Sequence, residues 1–325
     1  MTGASLRETM SPDNQNEPKA ANTNSVGSVE KPSGKGAKDE NFPVGSFLLP
    51  KRLRPHVATY YAFARAIDDI ADDEDLPPAD KIQRLQAMNS ALKGEPGYNS
   101  NYAKAHALRM SMIETNVPTV HGSHLVEAFV QDCKKRRYQT WDELLGYCAR
   151  SANPVGRYLL DLHGEDPSGY KYSDALCTVL QITNHLQDCG DDRRSLDRVY
   201  VIQPWLEEAG GHIEDLDASK TSPALRATMD RMLDGCDALM LDARKLPSAL
   251  KSRHLAMESA VIVRLAYRLI QILRKGDPLE SRVALTKFDF ARAGLFGMVD
   301  GFFSANTKSL PESIPPTKTS SEHLQ

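Results

Sequence analysis

No run of about 18 uninterrupted apolar residues occurs in this chain, so a membrane-spanning helix is not expected. Basic charge is not in excess either: 40 Lys and Arg against 43 Asp and Glu leave a formal net charge of −3. A nucleic-acid partner calls for a basic stripe or a high pI, and neither is present. Cysteine is sparse, five among 325 residues, and no two form a C-x-x-C pair. That argues against a structural zinc site or a disulfide framework, and for a reducing cytosol. The N-terminus carries no apolar segment of the secretory kind, so a cytoplasmic location is expected. No glycine-rich phosphate loop is found, neither G-x-x-x-x-G-K-[ST] nor G-x-G-x-x-G after a strand, and NADPH is therefore not expected as a cofactor. Alternating β-branched runs are few, and no internal repeat is found.

What is present is apolar residue at helical spacing. Hydrophobic residues make up 41% of the chain, enough for a substantial core. They recur at steps of three and four in HVATYYAFARAIDDIA, DALCTVLQITNHLQDC and MESAVIVRLAYRLIQILR. Pro and Gly fall mostly between these segments. The expectation is an all-α fold of eight to ten helices over residues 39–305. Residues 1–38 and 306–325 hold few large apolar groups, and disordered tails are expected there.

Two stretches carry unusual polarity for a helical core. IDDIADD places Asp68, Asp69, Asp72 and Asp73 directly after a tyrosine- and alanine-rich segment. On a helix, Tyr61, Arg65, Asp68 and Asp72 share one stripe, with Asp69 and Asp73 turned about 100° away. Carboxylates at i and i+4 repel by a few tenths of about a kcal/mol, a penalty that a hard cation removes. Alone, this segment reads equally well as an acidic helix end. The second stretch, LQITNHLQDCGDDRRSLDRVYVI, aligns Gln181, Asn184, Asp188 and Asp192 on one face of an otherwise apolar helix. Burying such a stripe is costly unless it has partners. An interhelical hydrogen-bond network is the plain reading; a second metal-binding face is the functional one. Mg²⁺ favours oxygen ligands and commonly takes one or two carboxylates plus substrate phosphates. Two Asp-x-x-x-Asp segments facing one another across a helical bundle suit Mg²⁺-assisted departure of a diphosphate, with an apolar pocket for the cation left behind.

The pattern Y-x-x-x-R-x-x-D-D-x-x-D (Tyr61 to Asp72), the pattern Q-x-x-N-x-x-x-D-x-x-x-D (Gln181 to Asp192) and YCARSANPVG (Tyr147 to Gly156) resemble the squalene/phytoene synthase family across roughly residues 40 to 300. The resemblance implies an all-α isoprenoid-synthase bundle with a central cavity. It implies Asp68, Asp72, Asp188 and Asp192 as ligands of Mg²⁺, and Arg65 and Arg282 as diphosphate-binding groups. It implies Tyr61, Tyr147, Gln181 and Asn184 at the reaction centre, with Asp132 as an acidic position before the middle motif. There are departures: Gln187 stands where most such enzymes have arginine, and ENFPVGS (residues 40–46) replaces a serine-containing flap. ENFPVGSFLLPKRLRPHV and NHLQDCGDD followed by LDRVY are similar to the hopanoid-pathway branch of the family. That implies presqualene diphosphate as substrate, ionised, rearranged and quenched by water. The alternatives within the family are condensation of two farnesyl diphosphates to squalene or phytoene, and a non-catalytic helical assembly factor. Peripheral contact at the inner face of the membrane and association with other hopanoid-pathway enzymes are further partners that the resemblance suggests.

Other readings are weaker. A chain-elongating prenyltransferase or terpene cyclase would show a second D-D-x-x-D or an N-x-x-x-S/T-x-x-x-E, and a di-iron bundle would show E-x-x-H pairs. None occurs. His121 and His124 are expected in a loop or cap, KKRR (134–137) on a solvated face, and GLFGMVDGFF (294–303) in core packing or at a hydrophobic exit.

Overall fold

The computed structural model describes residues 49–98 and 102–304, excluding the side chains of 298–304. The tails expected at 1–38 and 306–325 and the ENFPVGS segment lie outside the described residues. The chain forms α1 (Arg54–Asp72), α2 (Pro78–Lys93), α3 (Ala103–Thr115), α4 (Val120–Asp132), β1 (Arg137–Tyr138), α5 (Trp141–Ser151), α6 (Asn153–Leu162), α7 (Tyr170–Gln187) and α8 (Cys189–Leu196). It continues with β2 (Val199–Ile202), α9 (Gln203–Glu208), α10 (Pro223–Ala243), α11 (Leu246–Ala249), α12 (Arg253–Lys275) and α13 (Lys287–Ser304). Among the described residues, ten of the helices have ten residues or more, and no helix is long and apolar enough to cross a membrane.

Local chemistry sets the ends of these helices. Pro55 sits in the first turn of α1, where its missing N–H costs nothing. Val57, Tyr60, Phe63, Ile67 and Ile70 then bury one face. Gly94 and Asn116 close α2 and α3 in the left-handed conformation. Thr140 accepts from the Glu143 N–H at the start of α5, and Ser222 and Ser252 do the same for α10 and α12. Buried Glu165 accepts from the N–H groups of Lys251 and Ser252, which fixes the entry to α12 beside the start of α7.

Two large apolar clusters result, with a small third where Val261 and Leu265 of α12 meet Ala293 of α13. One gathers α1 to α4 with Tyr158 and Leu162 of α6. The other gathers α5, α7 and α10 to α12 with β2. The cavity described below lies between them.

Three sequence expectations are corrected, and one short strand pairing is added. The stripe from Gln181 to Asp192 does not run down one straight helix: the backbone departs from helical geometry at Asp188, between α7 and α8. The bonds Asp188 N–H to Asn184 O (3.0 Å) and Asp192 N–H to Asp188 O (2.8 Å) carry the chain across the bend, so the i, i+4 relation survives. Next, the LDRVY segment pairs β2 with β1 as a short parallel ladder. KKRR is not simply a solvated face, because Arg136 and Arg137 grip Asp197 at 2.9 and 2.6 Å. Arg193 grips the same carboxylate, and Asp197 is held at φ 51. Last, His121 sits inside α4, buried, with Nε2 2.7 Å from Asp161, a partner forty residues away that local spacing cannot reveal.

The GLFGMVDGFF segment divides. Gly297 lies against the backbone of α12, where an added Cβ would sit 2.7 Å from the Val261 Cα. Leu295 and Phe296 are exposed, so core packing holds for only part of the segment. Gly297→Ala is expected to force α13 off α12 and cost about 1–3 kcal/mol of unfolding free energy in urea titration, as overpacking does.

Candidate active site

On α1 the stripe forms as the spacing requires. Arg65 bridges Asp68 at 2.8 Å and Asp69 at 3.0 Å. Asp69 is therefore drawn to the same cation as Asp68. Asp73 instead turns back at the helix end and accepts from the Asp75 N–H at 3.0 Å. Asp72 takes a different partner: Arg198 donates to it at 2.8 Å and to the Ala71 carbonyl at 3.2 Å. Burial pushes the Asp68 carboxyl up to about 7, with Asp72 adding to the rise and Arg65 opposing it.

On the other segment, Gln181 Nε2 lies 2.9 Å from His185 Nε2, and Asn184 donates to Asp188 at 3.2 Å. His185 Nδ1 is 3.7 Å from Asp192. Burial raises the Asp188 carboxyl, Asp192 raises it further, and Arg282 is the strongest opposing charge. The late arginine expected at the site is thus placed beside the second motif.

Between the two motifs lies Asp132, 5% exposed. Tyr147 donates to one of its oxygens at 2.9 Å and Tyr200 to the other at 3.3 Å. Burial pushes its carboxyl up to about 7, and Arg198 is the main opposing influence. Tyr200 stacks on His185 with ring centroids 3.5 Å apart. A continuous polar seam therefore runs Asp68, Asp72, Arg198, Asp132, Tyr200, His185, Asp192 and Asp188.

Beside this seam is a cavity of about 280 Å³, lined mostly by apolar residues such as Val57, Ala64, Leu176, Leu180 and Ile262. Tyr61, Gln181 and Asn184 line it, while Tyr147 does not and belongs to the Asp132 network. The carboxylates sit one helical turn beyond the lining residues of their own helices, Asp68 after Ala64 and Asp188 after Asn184. The cavity thus has an acidic end.

Arg198, Tyr200 and His185 were not picked out from the sequence. The alternation in RVYVI carried the signal, since residues two apart in a strand share a face and Arg198 and Tyr200 are such a pair. His185 gave none, sitting one position from the polar stripe.

Among the described residues no three His, Cys, Asp or Glu side chains converge as a metal centre. The donor set is nonetheless suited to Mg²⁺ whose remaining positions are filled by water and phosphate: each segment offers a pair of oxygen ligands, and burial, with the paired carboxylate next, keeps Asp68 and Asp188 up, a cost a cation would relieve.

A helical bundle with an apolar cavity, and with an Asp-x-x-x-Asp segment one helical turn past the lining of two of its helices, has the architecture of an isoprenoid synthase. A family model described as squalene/phytoene synthase matches residues 36–289. The chain is 41% identical over 266 residues to a hydroxysqualene synthase of Rhodopseudomonas palustris, covering 82% of this chain and 90% of the relative. It is 41% identical over 253 residues to a hydroxysqualene synthase of Zymomonas mobilis, covering 77% and 84%. Among solved structures, a squalene synthase of Alicyclobacillus acidocaldarius superposes with a TM-score of 0.63 at 31% identity, covering 71% of this chain and 87% of that one. A dehydrosqualene synthase superposes with a TM-score of 0.69 at 18% identity over 80% and 90%, which speaks to the fold alone. The chain belongs to the squalene/phytoene synthase family. It is an isoprenoid-synthesising enzyme of that type.

Asp132 gives a stability test with a definite sign. Its folded pKa, about 7, lies above the ordinary 3.8, so folding favours the protonated form. Stability from this group is full below the unfolded value and is lost as pH rises toward the folded one. In thermal melts, Asp132→Asn should flatten this decline, with its largest gain over the parent at about pH 8.

Proposed function

We propose that the enzyme ionises presqualene diphosphate with the help of Mg²⁺, rearranges the carbocation and lets water quench it, giving hydroxysqualene and diphosphate. The observation that carries this reading is an apolar cavity lined by Tyr61, Gln181 and Asn184, each one or two helical turns before the first aspartate of its own motif, in a chain 41% identical to hydroxysqualene synthases. The substrate's carbon–oxygen bond to diphosphate breaks, a carbon–oxygen bond to water forms, and the water's spare proton is released. No reductant enters that balance, so NADPH has no place in it.

Asp68, Asp72, Asp188 and Asp192 would hold the metal. Bound there, Mg²⁺ supplies Lewis-acid stabilisation of the phosphate oxygens. Arg65 and Arg282 add positive charge beside each motif and orient the departing group. Val57, Ala64, Leu176, Leu180 and Ile262 give the carbon chain an apolar enclosure that limits early capture by solvent. Tyr61, Gln181 and Asn184 line the cavity next to the acidic end, in position to face the reacting carbons. The Asp132 network, through Tyr147 and Tyr200, holds the two segments in one geometry. The same reading places the protein in the cytoplasm, alongside other hopanoid-pathway enzymes. It gives the exposed Phe288, Leu295 and Phe296 of α13 a role in peripheral contact with the membrane into which a C30 product partitions.

A second reading, condensation of two farnesyl diphosphates to squalene, draws on the 31% identity to the Alicyclobacillus acidocaldarius squalene synthase. Product analysis separates the two. Pure enzyme with Mg²⁺ is offered presqualene diphosphate or farnesyl diphosphate, with and without NADPH, in ¹⁸O-labelled water. Labelled hydroxysqualene from presqualene diphosphate alone is expected; squalene or phytoene from farnesyl diphosphate alone would overturn the proposal. Asp68→Asn and Asp188→Asn should each lower kcat by about a hundredfold or more, as loss of a group that stabilises developing charge does. Asp73→Asn, at the helix end, should cost far less; equal losses would remove the distinction between the aspartates.

A further inference from the structure

The residue before the second motif's first aspartate is Gln187, the last residue of α7. Neighbouring helical side chains diverge by about 100°, so Gln187 points away from the carboxylates. It is buried, and its Nε2 donates to the Val283 carbonyl at 2.6 Å. Val283 belongs to the segment 276–286, which joins α12 to α13. The residue before it is Arg282, whose charge is the strongest positive influence on Asp188. The Gln187–Val283 bond therefore sets the end of α7 against the connecting segment, with Asp188 and Arg282 the next residues on either side of it.

The rest of this segment is fastened at other points. The Asp277 carboxylate accepts from the Thr221 N–H at 2.9 Å and from the Leu279 N–H at 3.0 Å. Leu279 lies so close to α8 that a Cβ on Gly190 would sit 2.7 Å from it. Leu279, Val283 and Leu285 pack on the core. Hydrogen bonds pin the segment at Gly276 and Asp277 and again at Thr286, and between those points apolar packing holds it but tolerates small shifts along its length. The hydrogen bond to the Val283 carbonyl is directional and buried, so it selects one register.

We propose that Gln187 is a positioning residue: by donating to the Val283 carbonyl it fixes the register of segment 276–286 and so presents the Arg282 guanidinium, beside Asp188, to the diphosphate. This inference rests on the diphosphate-binding reading of Arg282. Gln187 itself touches neither substrate nor metal. Its effect reaches the site only through the placement of Arg282.

The test is calorimetric binding of inorganic pyrophosphate in the presence of Mg²⁺ to the full chain. Gln187→Met keeps the volume and removes the donor; it should weaken binding about tenfold, the size set by one lost charge-assisted contact. Arg282→Ala should weaken it to a similar extent. The double variant should bind no worse than Arg282→Ala alone, because Gln187 acts through that arginine. Additive losses, or a lowered melting temperature with unchanged pyrophosphate affinity, would overturn the inference and leave Gln187 a purely structural residue. A parent enzyme that binds no Mg²⁺-pyrophosphate would overturn the proposed reaction as well. Should Gln187→Met not fold, Gln187→Asn, which keeps the amide one methylene short, is judged by the same comparison in the Arg282→Ala background.

Discussion

One buried guanidinium, that of Arg198, holds together acids that would otherwise push the bundle apart. It bonds to Asp72 and to the Ala71 carbonyl, and it is the strongest charge opposing the rise in the Asp132 carboxyl. Burying an ion costs several of about a kcal/mol unless it is paired and hydrogen-bonded. Here one cation serves α1, the end of α4 and the approach to β2. Without it, Asp68, Asp72 and Asp132 would form a like-charged group in a poorly solvated space. The separation of the molecule into a polar seam and an apolar cavity depends on that pairing.

The two hydrophobic clusters explain why the seam lies where it does. Helices α4 and α6 contribute to both, and the charged groups that cannot join either lie along this boundary. Tyr138, Tyr147 and Tyr200 form a partly stacked aromatic layer, in which Tyr147 and Tyr200 present hydroxyls to the Asp132 carboxylate while the Tyr138 hydroxyl accepts from Gln131. Such a layer satisfies a buried acid while adding apolar area. Under the proposed reaction, this division keeps the charged leaving group at one end of the site and the carbon chain in a dry one.

Much of this was legible in the sequence because it depends on spacing along single helices. Asp68 and Asp72, Gln181 and Asn184, and the apolar faces of α1 and α12 all follow from a period of 3.6. Tyr61, Gln181 and Asn184, which the motifs single out, line the cavity. The partners were less legible, because each arrives from a distant part of the chain. Asp72 finds Arg198 more than a hundred residues later, and His121 finds Asp161. Tyr147 donates to Asp132, and the second donor, Tyr200, comes from β2, a pairing that no local pattern announces. The bend at Asp188 was missed because the i, i+4 bonds that suggest a straight helix persist through it.

Asp197 ties this buried chemistry to the solvent. It occupies a left-handed conformation that a residue with a side chain adopts reluctantly, and its half-exposed carboxylate is gripped by Arg136, Arg137 and Arg193. Ion pairs so exposed are screened by dissolved salt. The next residue is Arg198. The register of the innermost cation is therefore set by a clasp that the surrounding electrolyte can loosen, so ionic strength reaches the heart of the protein through its backbone, without any ion having to enter the cavity.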